Sequence, residues 1–145
     1  MSFTEQCARV LDSALAAGPA PDQSIREAEE ALGVVFPRSY RAFLARYGAV
    51  MGNGFEIAGL FVSDDAEPPM WCDIVEGTKQ TRRAVVGRLP QTLLPISGDG
   101  MDQTYYINAV GGDDCPVIAY GPGCDGEQIA GDFGEFVVKL ASGDL

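Results

Sequence analysis

The chain contains no histidine. That removes the commonest general base, the commonest transition-metal ligand and the side chain that ordinarily changes charge near neutral pH. Basic residues are also scarce. Ten Lys plus Arg stand against 21 Asp plus Glu, giving a net charge of −11 at pH 7 and a pI near 4.2. Neutralising phosphates requires a basic patch, so direct binding of nucleic acid is not expected. No run approaches the roughly 18 apolar residues of a membrane span, so no membrane association is expected. No basic region followed by an apolar one marks an export signal, and the expected location is the cytoplasm.

Cysteine is present but not in a metal pattern. Cys7, Cys72, Cys115 and Cys124 are scattered, with no two at C-x-x-C spacing. Without histidine, a zinc site would have to be assembled from these distant thiolates. A catalytic thiol would need a neighbouring base to lower its pKa. Reduced cysteines acting as small hydrophobes fit better, and neither a metal nor another cofactor is expected.

What remains is ample for a core. The 145 residues are 46% hydrophobic, which predicts one domain over residues 1–145 that needs no disulfide or metal to fold. Helical spacing fills the first third. Ser2 with Glu5 forms a capping box, and Phe3, Cys7, Val10, Leu11, Ala14 and Leu15 line one face of a helix over 2–17, closed by Gly18-Pro19. Ser24 with Glu27 forms a second box before Ile25, Ala28 and Leu32, with Gly33 as the stop. Pro37 suits the start of a third helix, whose inward stripe is Tyr40, Phe43, Leu44 and Tyr47 and whose stop is Gly48. Arg38, Arg41 and Arg46 fall on its other, solvated face.

From Gly54 the texture becomes extended. Phe55, Ile57, Leu60 and Phe61 predict a strand kinked at Gly59, and Trp71 to Val86 a helix interrupted at Gly77. Strands follow at Leu93–Ser97, Thr104–Ala109, Cys115–Tyr120 and Gln128–Ala130. Asp132 then caps a closing helix with Phe133, Phe136, Val137 and Leu140 inward. Helices, then strands, then a helix predict an α+β domain with a mainly antiparallel mixed sheet of about five strands.

Three glycine-rich stretches, 51–54, 98–100 and 121–126, match neither a phosphate loop nor a dinucleotide fingerprint and suit hairpin turns. Asp99, Asp102, Asp113 and Asp114 lie in successive turns and could share one end of the sheet. They suit turn formation and solubility, contact with a partner, or a cation or acid–base site. Charge is unevenly spread. Residues 1–88 carry a net −3, whereas 89–145 carry Lys139 against nine acids. Such a half can attract a basic partner. Its apolar anchor would be Trp71, or whichever of Tyr105 and Tyr106 points outward, since neighbours on a regular strand face opposite ways.

The order of these elements resembles the SUKH superfamily, the domain shared by bacterial toxin-immunity proteins and a fungal cell-wall regulator. The resemblance rests on Ile25-x-x-Ala28-Glu29-x-x-Leu32-Gly33 and on Phe36-Pro37-x-x-Tyr40-x-x-Phe43-Leu44-x-x-Tyr47-Gly48. It continues through Glu56-Ile57-x-Gly59-Leu60 and Leu94-Pro95-Ile96-Ser97-x-Asp99-Gly100. Tyr105-Tyr106, Pro116-Val117-x-x-Tyr120 and Ile129-Ala130-x-Asp132-Phe133-x-Glu135-Phe136 complete it. It covers about residues 24–140 and leaves the helix at 2–17 as an addition. The resemblance implies an α+β domain without catalysis that binds and neutralises a cognate toxin, commonly a nuclease or deaminase. The acidic half suits a basic toxin of that kind. A regulatory adaptor binding a self protein, and a small carboxylate-dependent enzyme, are the alternatives.

Overall fold

The computed structural model describes residues 5–52, 54–61, 72–84, 90–99, 103–109, 112 and 116–143. Their elements run α1 (Glu5–Ser13), β1 (Leu15–Ala16), α2 (Asp22–Leu32), α3 (Arg38–Tyr47), β2 (Val50–Gly52) and β3 (Phe55–Ile57). They continue through α4 (Ile74–Ala84), β4 (Leu93–Gly98), β5 (Thr104–Asn108), β6 (Val117–Gly121), β7 (Cys124–Ala130) and α5 (Phe133–Ser142).

The apolar stripes decide how the helices sit. Tyr40, Phe43, Leu44 and Tyr47 of α3 are all buried, as the i, i+3, i+4, i+7 spacing requires. They meet α5 through aromatic rings: Phe133 lies 5.5 Å from Tyr40 and 5.3 Å from Phe43, centroid to centroid. Edge-on rings at such distances add roughly 0.5–1.5 kcal/mol per pair beyond area burial. The hydroxyl of Tyr40 is satisfied in this dry layer by donating to the Ala58 carbonyl at 2.6 Å. Asp132 caps α5 as its sequence predicts, accepting from the Glu135 N–H at 2.8 Å.

Among the described residues, the strands pair antiparallel within an α+β domain, as expected, and they form two sheets rather than one of about five strands: β1-β2-β3 and β4-β5-β6-β7. The two meet at a narrow seam. The Ala58 N–H donates to the Ile96 carbonyl at 2.7 Å, and the Ser97 hydroxyl donates to the Glu56 carbonyl. On the face toward α3 and α5, Leu94, Ile107, Val117 and Ala130 form a register row that is buried throughout.

Several boundaries differ from the sequence reading. The first helix stops at Ser13, because Leu15 and Ala16 leave it to pair with Met51 and Val50; Leu15 is 57% exposed rather than inward. Ser2 lies outside the described residues. Helix α2 begins at Asp22, with Pro21 at its N-cap and no side-chain cap bond there, so the Ser24 box is not its start. Arg41 and Arg46 do not merely face solvent: Arg41 pairs with Glu29, and Arg46 lies 3.4 Å from Asp12. Gly59 is not a kink within a strand but bridges to Asp73. Gly77 does not interrupt α4, and its N–H donates to the Asp73 carbonyl at 2.9 Å. The last strand starts at Cys124, so the preceding loop is a tight turn in which Gly121 pairs with Cys124.

Candidate partner-binding site

At the seam, the β2–β3 hairpin and the end of β4 line a cleft of about 550 Å³. A bulge between Pro95 and Ser97 turns β4 at this point. Met51, Phe55 and Pro95 supply apolar surface, while Glu56 and Asp99 supply carboxylates; no Lys or Arg is among the described residues that line it. The Cys72 thiol donates to Glu56 Oε2 at 3.0 Å. Burial first, then the adjacent carboxylate, push that thiol up to about 11. It is therefore protonated and poorly nucleophilic at neutral pH.

The outward face of the four-stranded sheet continues from the cleft. Pro95, Tyr106, Ile118 and Gln128 are register partners across its four strands, and so are Gly98, Thr104, Tyr120 and Asp125. Side chains at such positions share a face. The Tyr106 and Tyr120 rings meet edge-on at 5.7 Å. Gly126 (φ +76°) makes room for Tyr120, whose hydroxyl would lie 3.0 Å from a Cβ there. Pro95 belongs both to the cleft and to this face, so the two are continuous.

Of the residues singled out from sequence, Asp99, Tyr105 and Tyr106 fall among the described ones, whereas Trp71, Asp102, Asp113 and Asp114 lie outside them. Asp99 shapes its turn: its carboxylate accepts from the Gln103 N–H, and its own N–H donates to the Gln103 carbonyl, both at 3.2 Å. It also lines the cleft. Tyr105 is a core residue, packed 5.6 Å from the Phe136 ring, and contributes nothing to a surface. Tyr106 is the outward member of the pair but is only 6% exposed. Tyr120 is half-buried and more accessible. Phe55, Glu56, Cys72 and Tyr120 were not flagged by the sequence. For Tyr120 a signal existed in its period-two spacing from Ile118. For Glu56 and Cys72, 16 residues apart, only the fold brings them together.

The electrostatics of the C-terminal half are one-sided. Lys139, its single base, pairs with Glu135 at 3.2 Å and donates to the Ile129 carbonyl at 3.0 Å. Asp99, Asp125 and Glu127 are all exposed. Among the described residues no group of three His, Cys, Asp or Glu could hold a metal ion, and no helix is long and apolar enough to cross a membrane.

The model of SUKH_5, described as SMI1-KNR4 cell-wall, matches residues 4–141. No curated protein matches the chain.

Proposed function

This chain belongs to the SUKH_5 (SMI1-KNR4 cell-wall) family, and from that membership we propose that it is an immunity-type protein that binds a basic toxin domain and occludes it stoichiometrically. The family is one of protein-binding, generally non-catalytic domains of the immunity or SMI1/KNR4 type. The observation that carries the reading toward a basic partner is the charge of the seam cleft and the sheet face beside it. The cleft sets apolar surface beside Glu56 and Asp99, the sheet face sets it beside Asp125, and neither has a described basic side chain. Such an arrangement gives recognition by charge and affinity by burial. The one described cysteine of the cleft, Cys72, has its thiol pushed up to about 11 and is not an activated nucleophile.

The test is titration of the toxin domain encoded by the neighbouring reading frame with the purified protein. The proposal expects a 1:1 complex, loss of toxin activity that is complete at one equivalent, and no consumption of toxin substrate by the protein alone. No complex, or loss of toxin activity at catalytic amounts, overturns it. Capture of a defined self protein in place of the toxin would assign the adaptor role instead and equally overturn the immunity role.

A further inference from the structure

We infer that the seam cleft receives an arginine-bearing loop of the basic partner, with the guanidinium on Glu56 and Asp99 and its stem on Phe55 and Pro95. This deepens the proposed function and rests on it for the identity of the partner. Three features favour arginine. The cleft holds about 550 Å³, room for a long side chain together with part of its loop. Its only described formal charges are carboxylates, brought by two different elements: Glu56 on β3 and Asp99 just past β4. Glu56 spends Oε2 on the Cys72 thiol, which leaves Oε1 as an acceptor, and a planar guanidinium can bridge two separated acceptors where an ammonium is a point charge.

The apolar walls argue against a small hydrated ion. Met51, Phe55 and Pro95 offer nothing to a divalent cation, but they suit the methylene stem of arginine and, at Phe55, its cationic face. An acidic or phosphorylated segment is disfavoured by like-charge repulsion from Glu56 and Asp99. A lysine would satisfy the charge but not the paired geometry.

The experiment is an amide-resolved NMR titration of the full chain with N-acetyl-arginine amide. N-acetyl-lysine amide, N-acetyl-norleucine amide and Mg²⁺ serve as the comparison probes. The expected result is saturable shifts confined to Glu56, Ala58, Cys72, Ser97 and Asp99, at least threefold tighter for arginine than for lysine. They should weaken tenfold or more in the double variant Glu56→Gln, Asp99→Asn. Shifts spread over the whole acidic surface, equal responses to Mg²⁺, or no saturable shift overturn the assignment. The complex with the toxin domain separates the two levels of the argument. If it forms undiminished with the double variant, the cleft assignment falls and the immunity reading stands. If the arginine probe saturates the cleft but no toxin domain binds, the immunity reading falls alone.

Discussion

Gly48 and Gly59 cross with their backbones in contact: a Cβ at Gly59 would lie 1.7 Å from the Gly48 carbonyl oxygen. The same oxygen accepts from the Leu60 N–H at 3.0 Å. Gly48 ends α3 at φ +76°, and a Cβ there would meet the Gly18 and Leu60 carbonyls at 2.2 and 2.6 Å. This crossing ties the linker after α1, the end of α3 and the chain leaving β3 to one point. It therefore fixes the chain just after the β2–β3 hairpin, next to Ala58, whose N–H bonds the Ile96 carbonyl of β4.

Gly59→Ala should destabilise the fold by about 3 kcal/mol, the upper part of the overpacking range, because the obstacle is backbone rather than a yielding side chain. Urea unfolding measures it. A shift in midpoint too small for 1 kcal/mol would show that the crossing is looser than its geometry indicates.

Phe133→Ala should cost about 3–5 kcal/mol, since the ring is 1% exposed and touches Tyr40, Phe43 and Phe136. A double-mutant cycle with Phe43→Leu should give a coupling of about 0.5–1.5 kcal/mol. Additive losses would separate α3 from α5.

Glu135 is held below the ordinary glutamate range, first by the Gly131 N–H at 2.6 Å and then by Lys139. Its folded pKa lies under the unfolded one. The stability it contributes is therefore complete above the unfolded value and is lost as pH falls through the folded one. The stability gap between the native chain and Glu135→Gln should be present at pH 7 and should close on acidification below the usual carboxylate range. A gap that is constant with pH would contradict this.

Cys72, with its thiol pushed up to about 11, should alkylate with iodoacetamide at pH 8 about a hundredfold more slowly than free cysteine. The background for this test is Cys115→Ser, Cys124→Ser. Adding Glu56→Gln removes the hydrogen-bonded charge and should speed the reaction. A native rate equal to that of free cysteine would dissolve the Cys72–Glu56 pair.

The helical layer was legible because its periodicity is strong. Tyr40, Phe43, Leu44 and Tyr47 are buried as their spacing dictates, and the Asp132 cap forms. The first helix was overextended because Leu15 continues an apolar stripe, while its actual partner, Met51, is 36 residues away and leaves no local signal. The cleft was illegible for the same reason. Glu56, Cys72 and Asp99 come from three separate stretches, brought to one mouth by the Gly59–Cys72 and Ala58–Ile96 backbone bonds and by the Ser97–Glu56 bond. The acidic bias of the C-terminal half, by contrast, needs no fold to be counted.

That bias carries the central claim, and its most direct test is the association rate constant with the toxin domain at low and high salt. Nine acids against one base should raise the rate of encounter with a basic partner by roughly 10- to 10³-fold. The gain should fade with added salt, because the Debye length is only ~8 Å at physiological ionic strength. Reversing Asp99, Asp102, Asp113 and Asp114 to Lys should slow association at low salt by at least tenfold and flatten its salt dependence, with folding intact. An unchanged rate and an unchanged salt slope in that folded variant would contradict the account and leave the acidity with no part in recognition.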